Sequence, residues 1–333
     1  MKKFSLRKSG LAVLSLILLA PSLLGAEADH YSLRGEPLND MLPTINEMAN
    51  QYLKRSIKDA NILTKNCSEE VLYNEMRKYF NNHSKGELVI RALKEKEVQK
   101  RMIPLKESIY ENWNVWDGFL LGRKSAASSP LALSPMVRMG EYVIGIDKLE
   151  HMFGMGFRYF SEHYLKERKI SRVLNKGIFY EKTILGGNIV ATGVFAYADL
   201  AANFNGMRFW NSVLAKREDI LGEKLEAYVA CDDSEFKQVS KIDFSKFIDA
   251  SFDESINCSK FARNRSVRKM IAAIDKRGRQ KGIEYKCPMN QQSYEDILRK
   301  YDIPAVGNRK GQTLSDFIIN GEGLERRSFL NEF

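Results

Sequence analysis

Apolar residues recur every three or four positions over much of the chain, which is the period of a helix with one buried face. The stretches "LPTINEMANQYLKRSI" and "SEEVLYNEMRKYF", between residues 42 and 80, show this spacing. Ser68 with Glu69 and Glu70 predicts a helix start, because acidic side chains in the first turn favour the positive end of the helix dipole. No convincing run of alternating β-branched residues indicates a strand. The sequence therefore predicts a mainly α protein.

Composition divides the chain into regions. Residues 29–121 predict an N-terminal helical region. Residues 122–140 contain two prolines and four serines and predict a linker or long loop. Residues 141–230 have few charges and many Gly and Ala, and they predict a core of closely packed helices. Residues 231–333 are charged again and contain three of the four cysteines.

Residues 1–28 predict an export signal. A basic start precedes the apolar run "LAVLSLILLAPSLLG", and "AEA" supplies small residues for cleavage after Ala28, with Ala26 as the alternative site. Retention as an uncleaved N-terminal anchor is the other interpretation. No later uncharged run reaches the roughly 18 residues of a membrane-spanning helix, and the longest, residues 183–198, predicts a buried core helix. We therefore expect an exported protein of the periplasm or cell envelope.

The cysteine content fits export. Four cysteines permit two disulfides in an oxidising compartment: Cys67, Cys231, Cys258 and Cys287. Three connectivities are possible, and we expect a bridge within the last third of the chain. The cysteines have neither the C-x-x-C spacing nor the nearby histidines of a zinc site.

The net charge is +10, and part of it is concentrated between Lys260 and Lys281, where nine Lys and Arg residues accompany one Asp. A basic helix can bind nucleic acid or an anionic membrane surface. Because export argues against nucleic acid, the expected partner is an anionic envelope surface, lipid or cell-wall polymer, contacted peripherally. The alternative is a helix whose charged face is only solvated.

Polar residues form a regular series inside the apolar core. Glu181, Asn188, Thr192, Asp199 and Asn203 are separated by 7, 4, 7 and 4 positions, which places them on one face if the segment is a helix. If the two glycines ahead of Asn188 break that helix, Glu181 leaves the series. The stretch from Asn188 to Asn203 is therefore the firmer part of the prediction.

Asp147 and His151 are also four residues apart and share a helix face if their segment is helical. Gly and Ala are frequent on both segments, which permits close packing of helices. We expect the helix of Asp147 and His151 to pack against that of Asp199 and Asn203. Because buried charges need partners, we expect a hydrogen-bonded Asp–His pair between them.

The predicted cluster fits three roles. The first is a structural network that sets helix packing. The second is a catalytic or ligand-binding site in which Asp147 or Asp199 orients His151 as general acid or base. The third, a metal site of one histidine and carboxylates, has fewer nitrogen and sulfur ligands than zinc usually takes, so we predict no metal. G-x-S-x-G, H-E-x-x-H and the phosphate-loop motif do not occur, and we predict no cofactor.

Other polar residues receive structural assignments. Asp253, Glu254 and Asn257 predict an acidic turn beside Cys258. The other three histidines stand among polar residues, and we predict them on the surface: His30, His83 and His163.

The core residues resemble a family signature. "DKLEH" at 147–151, then Glu181, then "ADLAANFNG" at 198–206, resemble the series D-K-x-x-H, E, D-x-x-x-N-x-x-G of VanZ-like proteins and of the related YfiM-like envelope proteins. The resemblance covers about residues 145–206, roughly 60 of 333. It implies an envelope location and a shared polar core, and VanZ-like proteins are implicated in glycopeptide tolerance. The matching positions are Asp147, Lys148, His151, Glu181, Asp199, Asn203 and Gly206.

The chain also departs from that family. VanZ-like proteins are membrane-embedded bundles, whereas this core has no full spanning run, and Met152 stands directly after His151 where the family often has Phe. The expected function is that of an exported envelope protein with a buried Asp/His/Asn site, either a hydrolase or a binder of lipid-linked ligands. The alternative is a non-enzymatic structural or interaction protein whose polar core only fixes helix packing. The candidate site residues are Asp147, His151, Glu181, Asp199 and Asn203.

Overall fold

The computed structural model describes residues 27–122, 133–182, 191–308 and 310–323. These residues form mainly α-helices, as the apolar spacing predicts. The N-terminal region contains α1 (Leu42–Leu63), α2 (Glu69–Met76) and α3 (Glu87–Lys94). Ser68 directly precedes α2, so the predicted helix start is confirmed.

The described residues also contain three two-stranded antiparallel sheets, which the sequence pattern did not indicate. The first joins β1 (Met136–Met139) to β2 (Tyr142–Gly145). The end of the predicted loop 122–140 is therefore a strand, while residues 123–132 lie outside the described part. A strand of four residues is too short for an alternation of buried and exposed positions to stand out.

A helix begins directly after β2 and contains the D-K-x-x-H residues. This helix, α4, is α-helical over Asp147–Glu150 and Gly156–Phe160, and π-helical over His151–Met155 and Ser161–Leu165. Single π-helical turns within helices occur frequently at functional sites. The first such turn begins at His151.

The remaining elements complete the order. The chain continues through α5 (Ile170–Lys182), β3 (Val194–Phe195) and α6 (Tyr197–Ser212). β3 pairs with a strand far along the chain, β6, and β4 pairs with the adjacent β5. The later elements are β4 (Val229–Asp232), β5 (Glu235–Gln238), β6 (Lys260–Phe261), α7 (Asn264–Lys281), α8 (Gln291–Lys300) and α9 (Ser315–Ile318).

The prediction of one helix across the polar series is wrong. Glu181 lies near the end of α5, Thr192 precedes β3, and α6 begins only at Tyr197. Asn188 lies outside the described residues. The chain turns at Gly193, whose φ is +74° and where an added Cβ would lie 1.8 Å from the carbonyl oxygen of Asp117. A left-handed glycine in such close contact cannot continue a helix.

Helices α4 and α6 pack against each other through glycines, as the small residues in both segments predict. An added Cβ at Gly156 would lie 2.7 Å from the Cα of Gly206, and one at Gly206 would lie 2.2 Å from the carbonyl oxygen of Met152. This close approach brings the D-K-x-x-H turn of α4 directly against the residues Asp199 and Asn203 of α6.

Replacing Gly206 by Ala is expected to lower the free energy of unfolding by about 1–3 kcal/mol, because the extra methyl group forces the two helices apart. Urea denaturation measures the change. Gly154→Ala is the matched control on α4, because the nearest atom to its added Cβ is Asn81 Oδ1 at 3.8 Å. Equal stabilities of the two variants would contradict the close packing.

One large hydrophobic cluster draws residues from Met41 to Ile319, so all four predicted regions from residue 29 onward contribute to it. At its centre, Trp210 of α6 stacks edge-on against Phe157 of α4, with ring centroids 4.9 Å apart. Phe80, which follows α2, packs edge-on against Phe153 at 5.4 Å. These aromatic contacts hold the N-terminal helices, α4 and α6 in fixed positions around the polar cluster.

Two disulfides connect the cysteines. Cys258 bonds to Cys287, which confirms the bridge expected in the last third of the chain, and Cys67 bonds to Cys231. Structural disulfides form in oxidising compartments, so the protein is exported from the cytosol. No helix within the described ranges is long and apolar enough to cross a membrane.

Candidate functional site

Lys148, in the first turn of α4, is at the centre of the polar cluster. Its side chain is 0% exposed. Its Nζ donates hydrogen bonds to Asp147 Oδ2 at 2.6 Å, Asp199 Oδ1 at 2.6 Å and Glu254 Oε1 at 2.7 Å. An ammonium group has three N–H donors, and all three are used. The attraction between the ammonium and the three carboxylates thus offsets the free energy that these groups lose when they are removed from water.

His151 lies beside this group and shares Asp199 with it. His151 Nε2 lies 3.2 Å from Asp199 Oδ2, and Nδ1 lies 3.0 Å from Asn203 Oδ1. Of the two candidates for orienting His151, Asp199 therefore does so, while Asp147 binds Lys148 instead. The side chain of His151 is 14% exposed, against 4% for Asp199 and 0% for Lys148. Among these three residues, His151 is the one that reaches solvent.

Local structure fixes the positions of both aspartates. The backbone N–H of Asp147 donates to the hydroxyl of Ser134 at 3.0 Å. Gly145, at the end of β2, leaves room for this side chain, since an added Cβ there would lie 2.0 Å from Asp147 Oδ1. Asp199 lies in the first turn of α6, where the helix dipole favours a negative charge. Asn203 follows one turn later on the same face.

Two further carboxyl groups lie around this centre. Glu181 Oε1 accepts a hydrogen bond from the backbone N–H of Ala196 at 3.4 Å, which ties the end of α5 to the start of α6. Glu27 is buried, and its backbone carbonyl accepts from the N–H of Ser134 at 2.8 Å. The cluster is therefore assembled from segments that are far apart in the sequence.

The charge state of the Asp199–His151 pair follows from its surroundings. Burial alone would lower the pKa of His151, but the Asp199 carboxylate and the more distant Glu181 raise it to about 9. Burial would raise the pKa of Asp199, but His151 and Lys148 hold it well below its usual range. At neutral pH the pair is an imidazolium and a carboxylate. Both ring nitrogens of His151 then act as donors, to Asp199 and to Asn203.

The other carboxyl groups hold protons more tightly than usual. Burial, together with the charge of Asp199, raises the pKa of Glu181 to about 8 despite the nearby His151. Burial raises the pKa of Glu254 to about 7, although Lys148 opposes the shift. Burial and the charges of Glu254 and Asp199 raise the pKa of Glu27 well above its usual value. The cluster therefore takes up or releases protons near neutral pH.

The carboxylates could in principle hold a metal ion. Asp147, Asp199 and Glu254 offer oxygen atoms within 4.8 Å of one another, and such oxygens suit hard cations. The ammonium of Lys148, however, is bonded to all three at 2.6–2.7 Å. It takes the position that a metal ion would need, so these residues do not fit a resident metal.

The five residues singled out from the sequence come together in this cluster, while three of its members were missed. Lys148 was noted only within the family signature, and Glu254 only as part of an acidic turn. Glu27 fell within the predicted export signal. For Lys148 the sequence did contain a usable sign, because it stands between two of the chosen residues. Glu254 and Glu27 are over 100 residues away from it, and no spacing rule connects them.

The prediction that His30 lies on the surface is wrong. Its side chain is buried, its Nδ1 accepts from the backbone N–H of Glu254 at 3.3 Å, and its Nε2 donates to the carbonyl of Val143 at 3.0 Å. Burial lowers the pKa of His30, which agrees with a neutral ring in these two bonds. His30 thus positions Glu254 without adding charge.

The remaining predictions for residues outside the cluster concern Asn257, His83 and the export signal. Asn257 donates to the carbonyls of Ser251 and Ile318, a structural role as predicted. His83 bonds to Glu150 and is 21% exposed. Residues 1–26 of the predicted export signal lie outside the described residues. A cut after Ala28 would remove two buried residues, whereas a cut after Ala26 would retain them.

No family model, curated protein or solved structure matches this chain. The likeness to VanZ-like and YfiM-like proteins therefore rests on the signature positions alone and stays a prediction. All the signature positions belong to one place in the structure. Six of them contribute polar side chains to the cluster, and Gly206 permits the close contact of α6 with α4.

Proposed function

We propose that the protein works in the bacterial cell envelope and that the cluster is an acid–base or ligand-binding site, with His151 as its contact to the ligand. The observation that carries this proposal is the Asp199–His151 pair at the solvent-reaching edge of an otherwise buried group of ionisable side chains. The substrate class that fits is an envelope molecule with an ester or phosphate oxygen, including a lipid-linked one.

Energetics support a role beyond stability. Each buried ion costs several kcal/mol of desolvation, by order of magnitude, and apolar side chains of similar volume often replace a buried ion pair without loss of stability. A cluster with this many ionisable groups is therefore an expensive way to hold helices together. Burial and the charges of neighbouring groups shift the pKa values of these side chains away from their usual values, and such shifts are typical of functional sites.

The chemistry available at His151 is that of an acid. Its pKa of about 9 keeps the ring protonated at neutral pH, and Asp199 holds the ring from one side. The other N–H points to Asn203 Oδ1 at 3.0 Å. A ligand oxygen that displaces this amide would accept the same N–H as a bound anion. In hydrolysis, water would attack the ester carbon or the phosphorus, and the leaving oxygen would take the proton from His151 as its bond breaks; a proton from the attacking water would then restore the imidazolium.

The second candidate is the structural role, and a specific observation favours it as well. Lys148 is completely buried and its three donors are satisfied by protein carboxylates. Such a group joins α4, α6 and the acidic turn without contacting solvent. In this case the protein would act in the envelope through its surface.

Two substitutions distinguish the candidates. In cells that lack the gene, His151→Gln and Asp199→Asn are introduced separately, and survival on a glycopeptide antibiotic or a detergent is compared with the melting temperature of each purified variant. If the site is functional, survival falls while the melting temperature of His151→Gln stays within a few degrees of the wild type. His151 is chosen because it is the more exposed partner.

The control for a purely structural loss is Arg208→Gln. Arg208 forms a second buried ion pair, with Asp219 at 2.9 Å, on the same helix α6. This change destabilises α6 without removing a member of the cluster. If the loss of survival is proportional to the loss of melting temperature for all three variants, the acid–base proposal is wrong and the structural role is favoured.

A further inference from the structure

A turn with exposed apolar side chains lies against the basic helix α7. Trp116 is 68% exposed and Val115 is 49% exposed, and Phe119 follows at 38%. The other two tryptophans, Trp113 and Trp210, are buried. Large exposed apolar side chains grouped within a few residues mark a contact surface. Tryptophan in particular is enriched where a membrane meets water.

The turn is held rigidly. The backbone N–H of Asp117 donates to the carbonyl of Asn114 at 2.8 Å, and the N–H of Trp116 donates to Asn114 Oδ1 at 2.9 Å. In return, the N–H of Asn114 donates to Asp117 Oδ2 at 3.0 Å. Val115 and Trp116 thus project from a closed ring of hydrogen bonds. The backbone of the turn is therefore ordered before any partner binds.

Helix α7 anchors this turn from the side. Asp117 accepts from the hydroxyl of Ser266 at 2.8 Å and from Lys269 Nζ at 2.5 Å. Arg263 donates to the carbonyl oxygen of Trp116. Part of the basic segment is therefore used to hold the turn, which the sequence could not indicate because the two segments are about 150 residues apart.

Some basic side chains of α7 do not take part in holding the turn. Arg268 and Arg279 of α7 are exposed, as is Arg263 directly before the helix. Within the described part of the chain, Arg268 and Arg279 form no ion pair. Lys106 and Lys276 lie with Arg279 around a shallow cleft in which Glu111 is the only acidic side chain. The cleft thus has three cationic side chains against one carboxylate, and Asn112, which also lines it, stands four residues before Trp116.

We propose that this surface, formed by Val115, Trp116 and the exposed basic residues of α7, binds an anionic lipid bilayer. The apolar side chains would enter the headgroup region while the arginines and lysines contact phosphate groups. A lipid surface fits better than a soluble polyanion, because only the lipid offers an apolar layer to Trp116. The proposal is independent of the Lys148 cluster and of any reaction there.

Vesicle binding tests this directly. The full exported chain is mixed with vesicles of phosphatidylcholine alone, or of phosphatidylcholine with phosphatidylglycerol, and the bound fraction is measured by sedimentation. We expect binding to the anionic vesicles, at least about tenfold tighter than to the neutral ones and weakened by salt. Because Trp113 and Trp210 are buried, a blue shift of tryptophan emission on binding would report Trp116.

Three variants make the test specific. Trp116→Ser should weaken binding by about tenfold, and Arg268→Gln or Arg279→Gln by about fivefold each, since one basic residue near an anionic surface contributes about 1 kcal/mol. Ile62→Ser is the matched control: Ile62 is also 68% exposed, lies on α1, and should leave binding unchanged. Circular dichroism checks that each variant is folded.

Other results would overturn the proposal. One is the lack of binding to anionic vesicles. Another is a Trp116→Ser variant that binds anionic vesicles as tightly as the Ile62→Ser variant does. A third is equal binding to neutral and anionic vesicles. A fourth is equally tight binding to soluble polyphosphate without any need for Trp116, which would point to a cell-wall polymer instead of a membrane.

Discussion

Replacing Lys148 by Met is expected to cost the protein a large share of its stability at neutral pH. The change removes the ammonium that lies 2.6–2.7 Å from three buried carboxyl groups. These groups then repel one another without water to screen them. Removing one partner of a buried ion pair typically costs about 3–5 kcal/mol, a large share of the roughly 5–15 kcal/mol that keeps a domain folded. Thermal or urea unfolding measures the loss.

The same variant should recover stability in mild acid. Glu254 has a pKa of about 7 even with Lys148 present, and without the ammonium the carboxyl groups bind protons still more readily. The difference between Lys148→Met and the wild type should therefore shrink as the pH falls from about 8 to about 5. This pH dependence distinguishes lost charge compensation from a simple packing defect.

The control is the same substitution in an exposed pair. Lys246 contacts Glu226 at 2.9 Å, with side chains 43% and 69% exposed, and exposed pairs contribute about 0–1 kcal/mol. The free energy of unfolding of the Lys246→Met variant should therefore be close to that of the wild type. A Lys148→Met variant as stable as Lys246→Met at neutral pH would show that the buried ammonium is dispensable.

Raising the pH from about 5 to about 9 is expected to destabilise the wild-type protein. The pKa of His151 is raised from 6.5 to about 9, and those of Glu254 and Glu181 are raised from 4.5 to about 7 and about 8. Between the unfolded and folded values, the native state binds more protons than the unfolded chain. The stabilisation is complete below the unfolded pKa and is lost as the pH rises through the folded one.

His151 accounts for the upper part of this change. Its window runs from pH 6.5 to about pH 9, and the shift corresponds to a loss on the order of 3 kcal/mol. Unfolding in urea at a series of pH values measures the profile. His151→Gln should make the decline within that window shallower, because glutamine does not titrate. The part of the decline due to Glu254 and Glu181, which extends to about pH 8, should remain.

His163→Gln provides the comparison. Burial lowers the pKa of His163, so its contribution has the opposite sign and lies below the usual value of 6.5. This variant should leave the decline between pH 6.5 and about 9 in place. A wild-type profile that is level over this range, or one that His151→Gln does not change, would contradict the imidazolium assignment.

Much of the helical architecture could be predicted from the sequence, because helix periodicity is a local property. The spacing around Ser68 located the start of α2, and the small residues of both core segments indicated the close packing of α4 and α6. Asp199 and Asn203 lie four residues apart on α6 and face α4, as their spacing predicts. The four-residue strands carried too little pattern to be seen.

The break between α5 and α6 was missed for a physical reason. The intervals between Glu181 and Asn203 matched a helix, and spacing alone contains no information about the backbone between the marked positions. Gly193 adopts a left-handed conformation against Asp117, a contact made with a distant part of the chain. Glu181 nevertheless reaches the cluster, since the turn returns α6 alongside the end of α5.

The sequence by itself determined the helical class, the meeting of α4 with α6, and the gathering of Asp147, His151, Asp199 and Asn203, since all depend on spacing within short segments. Only the tertiary structure decided what these residues do to one another. Lys148 is neutralised in part by Glu254, and the basic helix α7 supports Trp116, although both partners are more than 100 residues away. Burial and long-range pairing set the charges of the site, and neither can be inferred from the spacing of neighbouring residues.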